Sequence, residues 1–309
     1  MRFSILVLFA GLIPPVSTAA APPTQKLKAL AFGKEPGQAQ ALFEASRPPA
    51  GPLSAEWLEA MSWVGRAGAI AGDWNLAAEY AEQALELSES LVKTEPLEQD
   101  PNAPLPIALG AAIETMGKFY VAKDDPGRAI AFLRKKLARH AGTSIETRLN
   151  KNLLLLDLEG KPMPVLETGE LLTGRGLSGS DLRGKVTLFF FWAHWCSDCR
   201  SQKPVLAALE RRFGPRGFRV VAPTRLYGYI ERGRNANPET ERAYITKAHV
   251  EKNALLREVP VPLSAGNFVA FGVSTTPTLV LVDRDGVVRL YHPGQMQEAE
   301  LVRRVEELL

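Results

Sequence analysis

The sequence predicts an all-helical domain followed by an α/β domain, and three observations support this prediction. The N-terminal half contains runs rich in Ala, Glu and Leu, with apolar residues at helical spacing. The C-terminal half alternates short apolar runs typical of buried strands with amphipathic segments. At one strand-to-helix junction in that half, a C-x-x-C motif holds both cysteines of the chain, Cys196 and Cys199.

Composition places the chain among ordinary globular proteins. Its 309 residues, of which 46% are hydrophobic, are enough for two domains of ordinary size. The formal net charge is +3, and Lys and Arg are interspersed with Asp and Glu without forming a basic stripe. We therefore expect no nucleic-acid partner.

The first 21 residues have the pattern of a secretory signal peptide. Arg2 precedes an apolar stretch over 4–13, and small residues over 17–21 offer a cleavage site. The apolar stretch is shorter than the roughly 20 residues that a membrane span needs. We predict an exported protein, periplasmic in a bacterial-type cell, with an uncleaved N-terminal membrane anchor as the alternative.

Residues 22–159 are predicted to form the helical domain, as two helix pairs separated by prolines. The second pair resembles a tetratricopeptide repeat in the spacing of Ile113, Met116, Gly117, Tyr120, Ala129 and Leu133. The spacing between Gly65 of the first pair and Gly117 of the second is longer than that repeat's period of about 34 residues. A plain helical bundle is therefore the alternative. We expect this domain to bind a protein partner or to form dimers.

Residues 160–309 are predicted to form the α/β domain. Five glycines between 165 and 184 indicate hairpin turns, and an Asp-Gly turn ends at Gly286. Residues 239–256, inside a long connection that begins at Thr224 and includes Tyr227 and Tyr229, are predicted to be helical. The remaining predicted elements are strands over 186–192, 218–222, 278–282 and 287–291 and helices over 200–213 and 298–309.

The C-x-x-C motif indicates thiol–disulfide chemistry. A helix N-terminus has free N–H groups and a partial positive charge, which favour a thiolate at Cys196. Cys199, one turn further on, is within reach to resolve a mixed disulfide. A zinc site needs two more ligands, and the histidines show no paired spacing, so we predict no metal. These histidines are His140, His194, His249 and His292.

The residues around this motif resemble the thioredoxin superfamily, and within it the exported TlpA/ResA-like thiol–disulfide oxidoreductases. The resemblance covers about residues 160–309. Its elements are Asp181-Leu182-Arg183-Gly184-Lys185, Phe191-Trp192-Ala193, Trp195-Cys196, Cys199-Arg200, Pro204, Thr276-Pro277-Thr278, Val282-Asp283 and Gly286. It implies an α/β thioredoxin fold for this half, preceded by the all-α, tetratricopeptide-like domain.

The resemblance also implies a site and its partners. Cys196 and Cys199 would be catalytic, and Trp195, Thr276 and a cis Pro277 would bind the substrate. The redox-active disulfide would serve without a further cofactor. The partners would be protein disulfides or dithiols and a thiol electron donor, with reduction favoured over oxidation. A helical-repeat scaffold that binds a partner and carries a weak or vestigial redox site is the alternative.

Three positions depart from the family pattern. Phe190 replaces the buried Asp of thioredoxins, Gln202 replaces an acid of many TlpA/ResA-like proteins, and Asp198 stands where Pro is frequent. We therefore treat Asp198 and Gln202 as tuning positions. Asp198 is predicted to raise the pKa of Cys196 and to move the pair toward the reducing end. The alternative is a solvated carboxylate with little effect.

Overall fold

The computed structural model describes residues 21–49, 51–173 and 176–309. The predicted signal peptide, apart from Ala21, lies outside the described residues. Within those ranges, no helix combines the length and the apolar character required to cross a membrane.

Helices occupy the described chain from Thr24 to Asp157, which confirms the all-helical prediction for this half. They are α1 (Thr24–Phe32), α2 (Pro36–Ser46), α3 (Ala55–Ala71), α4 (Trp74–Leu91), α5 (Pro104–Ala122), α6 (Pro126–Arg139) and α7 (Glu146–Asp157). Asp73 and Asp125 cap α4 and α6 by accepting hydrogen bonds from the backbone N–H groups of the first turn.

Glycine allows the helices of the first predicted pair to approach closely. A Cβ atom on Gly68 of α3 would lie 2.7 Å from the backbone nitrogen of Ala77 in α4, so only glycine fits there. A Cβ atom on Gly117 of α5 would meet Leu133 of α6 at 3.4 Å. Only the first pair therefore shows an approach that requires glycine, because the Gly117 distance is an ordinary van der Waals contact. The assignment of both pairs as tetratricopeptide repeats stays a prediction.

The C-terminal half contains a four-stranded mixed sheet in the order β2-β1-β5-β6. Strand β1 runs parallel to β2, and the β1–β5 and β5–β6 pairs are antiparallel. The elements are α8 (Gly179–Leu182), β1 (Val186–Phe191), α9 (Ser197–Phe213), β2 (Phe218–Val221), β3 (Tyr229–Ile230), β4 (Arg234–Asn235), α10 (Pro238–Tyr244), α11 (Ala265–Ala270), β5 (Thr278–Val282), β6 (Val288–Pro293) and α12 (Glu298–Glu306).

Alternating residues of β1 face two different layers, as a strand buried on both sides requires. Leu188 and Phe190 belong to the core formed with α9 and α12. Phe191 packs on the other face, with its ring 5.0 Å from that of Phe271 and 5.5 Å from that of Phe268. This β-α-β unit followed by a β-β-α unit is the thioredoxin fold, and the predicted fold class is confirmed.

Two local predictions are wrong. The described residues between 161 and 184 form no hairpin strands, because Pro162 and Leu171 make isolated bridges to Val287 and Pro262 instead. The predicted helix over 239–256 is shorter. Helix α10 continues as a π-helix over Ile245–Val250, and the chain then turns at Asn253, whose side chain accepts from the backbone of Leu255 and Leu256.

The two halves pack directly against each other through α7 and α11. The Asn150 amide of α7 donates to the carbonyl oxygen of Val269 at 2.7 Å. Gly272, with φ of 58°, lies so close to α7 that a Cβ atom would be 2.6 Å from the backbone nitrogen of Lys151. Leu158 already belongs to the C-terminal core. A domain boundary at about residue 159 stays a proposal.

Candidate active site

Cys196 is the N-cap residue of α9, directly after the loop that leaves β1. Its Sγ atom accepts a hydrogen bond from the backbone N–H of Cys199 at 3.1 Å, the place that a capping oxygen takes in other helices. The two cysteines form a disulfide with a Cα–Cα distance of 5.3 Å. The helix therefore supplies a donor to the Cys196 sulfur, and its dipole favours negative charge there.

Exposure distinguishes the two sulfur-bearing residues. Cys196 exposes 6% of its surface, whereas Cys199 exposes none. A partner can therefore reach Cys196 first. Buried Cys199 lies beneath it in the first turn of α9, where it can attack only a bond that already involves Cys196.

The Thr276–Pro277 peptide bond is cis and lies against the disulfide. The carbonyl oxygen of Thr276 is 3.3 Å from Cys196 Sγ. Neighbouring bonds fix this loop, since the Pro277 carbonyl accepts from the Gly294 N–H at 2.8 Å and Thr278 Oγ1 donates to the Thr275 carbonyl at 2.9 Å. Thr276 and Pro277 therefore lie beside the Cys196 sulfur.

Trp195 and Tyr227 form part of the rim. Their rings meet edge to face with centroids 5.5 Å apart, and Trp195 exposes 49% of its surface. So exposed a ring cannot seal the disulfide from water, but it offers a partner an aromatic surface. The parallel pairing of β1 and β2 brings the connection that carries Tyr227 to this edge.

Asp198 and Gln202, the two tuning positions, have different surroundings. Asp198 is exposed in the first turn of α9, with Ser197 Oγ at 3.5 Å from its carboxylate. Gln202 is buried, and its amide accepts from Met296 N at 2.8 Å and donates to Met296 O at 3.2 Å. Gln202 therefore holds the segment before α12 against α9.

The connection after β2, residues 223–262, contains a buried carboxylate that the sequence analysis missed. Glu241 accepts hydrogen bonds from the backbone N–H groups of Tyr227 at 2.7 Å and Gly228 at 2.8 Å. Its Oε1 atom also lies 3.3 Å from His194 Nε2. Burial lowers the pKa of His194, although the Glu241 charge opposes that shift.

His194 and His249 lie in an aromatic cluster next to the motif. The His194 ring has neighbours at centroid distances of 5.6–5.8 Å, namely Tyr227, Tyr229, Tyr244 and His249. Burial, and next the charge of Lys203, lowers the pKa of His249 to about 4, so this imidazole is neutral at pH 7. Among the described residues, no group of three or more His, Cys, Asp or Glu could hold a metal ion.

Lys203 is a second buried group that the sequence analysis missed. It lies one turn after Cys199 on α9, and its Nζ atom is 4.3 Å from the centroid of the Trp192 ring. Burial, with a smaller contribution from Arg200, lowers the pKa of Lys203 to about 8. The signal was available in the sequence, because Lys203 shares a helical face with Cys199 and the buried Leu206.

The fold and this cysteine pair define a thiol–disulfide oxidoreductase domain of the thioredoxin superfamily. Residues 158–309 match the family model of Redoxin, and this half of the chain belongs to that family. The matched residues begin where α7 ends and include every residue of the site described above.

Relatives with curated names match about half of the chain. It is 24% identical over 148 residues to the thioredoxin-like protein YneN of Bacillus subtilis, covering 48% of this chain and 79% of that protein. It is 28% identical over 159 residues to the thiol:disulfide interchange protein DsbE of Xylella fastidiosa, covering 49% and 70%. With the thiol-disulfide oxidoreductase ResA of Bacillus anthracis, the identity is 27% over 152 residues, covering 48% and 70%.

Solved structures match a similar share of the chain. The exposed lipoprotein thioredoxin Etrx1 of Streptococcus pneumoniae is 26% identical with a TM-score of 0.33, covering 42% of this chain and 89% of that one. A thiol:disulfide interchange protein of the thioredoxin family from Chlorobium tepidum is 23% identical with a TM-score of 0.38, covering 48% and 98%.

Proposed function

We propose that this chain is an exported thiol–disulfide oxidoreductase that reduces disulfides of other proteins through Cys196 and Cys199. One observation carries the proposal: a solvent-reachable sulfur caps α9, 3.1 Å from a backbone N–H and 3.3 Å from the carbonyl of Thr276. A sulfur placed in this way is ready both to ionise and to meet an extended partner chain.

In the reduced form, Cys196 attacks one sulfur of the partner disulfide as a thiolate. An S–S bond forms between Cys196 and the partner, and the other partner sulfur leaves and takes a proton. Cys199 then loses its proton and attacks Cys196, which releases the second partner thiol. The partner disulfide has gained two electrons and two protons, and the Cys196–Cys199 bond has formed. A thiol electron donor returns the pair to its dithiol form.

Three further residues are proposed to hold the partner. Thr276 and Pro277 present backbone beside the sulfur, along which an extended chain can pair. Trp195 offers a half-exposed ring at the rim. Substituting Trp195 by Ala should therefore raise KM for a protein disulfide more than it lowers kcat.

The direction of electron flow is proposed to be reductive. The exposed carboxylate of Asp198 stands in the first turn of α9, where its charge opposes the Cys196 thiolate and so disfavours the reduced form of the pair. Equilibration with a glutathione or dithiothreitol buffer measures the reduction potential. We expect a value nearer to the reducing end at about −270 mV than to the oxidising end at about −120 mV.

Export is proposed from the signal pattern of the first 21 residues. Expression of the full chain in a bacterium, followed by fractionation and N-terminal sequencing, distinguishes cleavage from anchoring. We expect a mature N-terminus within, or directly after, the small residues 17–21, in the soluble periplasmic fraction. An intact chain in the membrane fraction would favour the anchor instead.

Insulin reduction in the presence of dithiothreitol tests the activity. The wild-type chain should accelerate precipitation of the insulin B chain, and Cys196→Ser should abolish the acceleration. Ser197→Ala, inside the same motif but without a redox sulfur, should retain it. Cys199→Ala should accumulate mixed disulfides with partner proteins, which reducing and non-reducing gels reveal. An inactive wild-type chain would favour the scaffold alternative.

A further inference from the structure

A cleft of about 650 Å³ lies between the helical half and the thioredoxin fold. The helical half lines it with residues that include Lys28 of α1 and Arg66 of α3, and the C-terminal half lines it with Arg225 and residues 273–275. This volume is within the range of ligand pockets. Neither half forms the cleft alone, so it is a property of the two packed together.

The cleft reaches the loop that lies beside the disulfide. Thr275 lines it, and the next residue, Thr276, places its carbonyl oxygen 3.3 Å from Cys196 Sγ. The Thr276 hydroxyl is buried and has no hydrogen-bond partner among the described residues. A polypeptide that pairs with the backbone beside Thr276 can therefore continue into the cleft.

Positive charge dominates the lining of the cleft. The cationic lining residues are Lys28, Arg66, Arg148, Lys151 and Arg225. Among the described lining residues, one carboxylate opposes them, that of Glu114. Glu114 is already engaged by Arg148 at 3.1 Å and by Lys151 at 3.5 Å. Although burial opposes ionisation, these cations hold the pKa of Glu114 well below its usual range.

Three of the cations have no such partner. Within the described part of the chain, Lys28, Arg66 and Arg225 form no ion pair with a carboxylate inside 4 Å. At longer range, Glu59 acts on both Lys28 and Arg66, and Glu114 acts on Arg66. Burial lowers the pKa of Arg66 to about 10, which leaves it charged at pH 7. With five cationic residues and one carboxylate in its described lining, the cleft carries a net positive charge.

Aromatic rings hold two of these guanidinium groups in place. The Arg66 Cζ atom is 3.7 Å from the centroid of Trp63, and the Arg225 Cζ atom is 4.9 Å from that of Tyr227. The Nε–H of Arg225 has no hydrogen-bond partner among the described residues. Fixed guanidinium groups with free donors match the geometry of carboxylates, which accept two N–H groups at once.

We propose that this cleft binds an acidic, extended segment of the polypeptide whose disulfide is exchanged at Cys196. The inference rests on the proposed function and adds the substrate class, namely proteins with Asp or Glu close to the disulfide. It also assigns a role in substrate binding to the helical half, because α1 and α3 supply two of the three cations that have no ion-pair partner.

Two synthetic peptides test this proposal. Both contain the same intramolecular disulfide, and they differ only in a flanking stretch of four residues, Asp and Glu in one and Asn and Gln in the other. The reduced full chain is mixed with each peptide anaerobically, and stopped-flow tryptophan fluorescence gives the second-order rate constant. We expect the acidic peptide to react at least tenfold faster at low ionic strength, and 0.5 M salt should reduce the difference.

A double variant, Arg66→Gln with Arg225→Gln, should lower the ratio of the two rate constants to below threefold. The control is Lys135→Gln with Arg211→Gln, which removes the same charge from exposed positions on α6 and the far end of α9. The control should keep the wild-type ratio. Circular dichroism and the rate with the Asn/Gln peptide show that each variant is folded and redox-competent.

Equal rate constants for the two wild-type reactions would overturn the proposal, as would a preference that survives in the double variant. Inhibition of both reactions to the same degree by inorganic phosphate, without any preference between peptides, would assign the cleft to a free anion and also overturn it. Failure of the wild-type chain to react with either peptide would contradict the proposed function itself. The rate constant with the Asn/Gln peptide therefore distinguishes a failure of this proposal from a failure of the proposed function.

Discussion

Two regions near the redox disulfide differ in how their charges are satisfied. In one of them, which we call the insert side and which comprises the buried groups around His194 and His249, the carboxylate of Glu241 is satisfied by two backbone N–H groups. In the other region, the cleft between the halves leaves Arg66 and Arg225 without a carboxylate inside 4 Å in the described structure. A charge satisfied within the chain supports the fold, whereas a charge left unsatisfied is available to a partner.

The comparison teaches which substitutions should change stability and which should change recognition. Changes on the insert side should alter the free energy of unfolding and leave the preference for acidic peptides intact. Changes in the cleft should alter that preference at nearly constant stability. Lys203 is the exception on the insert side, because it is a buried cation without a carboxylate partner in the described residues.

Lys203→Met should give the largest change in stability. Burial lowers the pKa of Lys203 from 10.5 to about 8, which corresponds to about 3 kcal/mol of unfavourable burial at pH 7. Loss of the contact with Trp192 offsets about 0.5–1 kcal/mol of the gain. Urea denaturation at pH 7 should therefore show the variant to be about 2 kcal/mol more stable, and Lys247→Met, at an exposed position, should change little.

The same substitution should remove a pH dependence. Between pH 8 and 10.5 the unfolded chain binds more protons at Lys203 than the folded chain does, so wild-type stability should rise with pH across this window. In Lys203→Met the rise should disappear. The variant should also exchange disulfides several-fold more slowly, because Cys199 loses a cation one helical turn away. Unchanged stability and unchanged rates would contradict both expectations.

Glu241→Gln should give the next largest change, in the opposite direction. The substituted amide has one oxygen in place of two, so the N–H of Tyr227 or that of Gly228 loses its acceptor in a buried place. An unsatisfied buried donor costs about 1–3 kcal/mol, and urea denaturation should show a loss of that size. Glu239→Gln, exposed on the same helix, should change stability by less than about 0.5 kcal/mol.

The peptide assay sharpens this prediction. Glu241 lies on the insert side, so Glu241→Gln should keep the wild-type preference for the acidic peptide under conditions where it is folded. A lost preference in a folded Glu241→Gln chain would show that the insert side and the cleft are coupled. It would contradict the expectation that the insert side affects stability alone.

Most of the fold could be predicted from local sequence patterns. The run Val186–Phe191, the C-x-x-C motif and α9 are adjacent in sequence, so their junction was predictable without tertiary information. The Asp-Gly turn before β6 was predictable for the same reason. The structure shows Gly286 with φ of 83°, the left-handed conformation that glycine permits. The glycines between 165 and 184 led to the wrong prediction of hairpins, because glycine permits a turn but does not supply a strand partner.

The charged parts of the site could not be predicted in this way. Glu241 contacts Tyr227 and His194, which are remote from it along the chain, only because residues 223–262 fold back over the sheet edge. The cleft brings together α1, α3 and a loop of the C-terminal half. No periodicity links such segments, since their contacts depend on how the two halves pack. Lys203 alone had a local signal, a cation on the buried face of α9.

Gln202→Ala should have a smaller effect on stability than Glu241→Gln. Its amide makes two hydrogen bonds with the backbone of Met296, and Ala leaves that N–H and carbonyl without their partner in the described structure. Neutral hydrogen bonds contribute about 0.5–1.5 kcal/mol each, and water can reach part of the opened site, so we expect a loss of about 1–2 kcal/mol by urea denaturation. Ser201→Ala, exposed on the same helix, is the matched control, and an equal loss in both would contradict this role for Gln202.

Asp198→Ala should give the smallest effect, and it acts on the sulfur rather than on the fold. The Asp198 carboxylate stands in the first turn of α9, two residues from the Cys196 sulfur that the helix caps, and solvent screens its charge. Its removal should lower the pKa of the Cys196 thiol, since one like charge is lost and the helix N–H donors remain.

Thiolate absorbance titration of the reduced chain measures this shift. Titration of Cys199→Ala with and without Asp198→Ala isolates the Cys196 signal, because one thiol then remains. Asp285→Ala, in the exposed turn before β6, removes the same charge far from α9 along the chain and should leave the Cys196 pKa unchanged. A pKa that stays constant or rises in the Asp198 variant would show that this carboxylate is only a solvated helix-start residue, and the reductive bias would need another source.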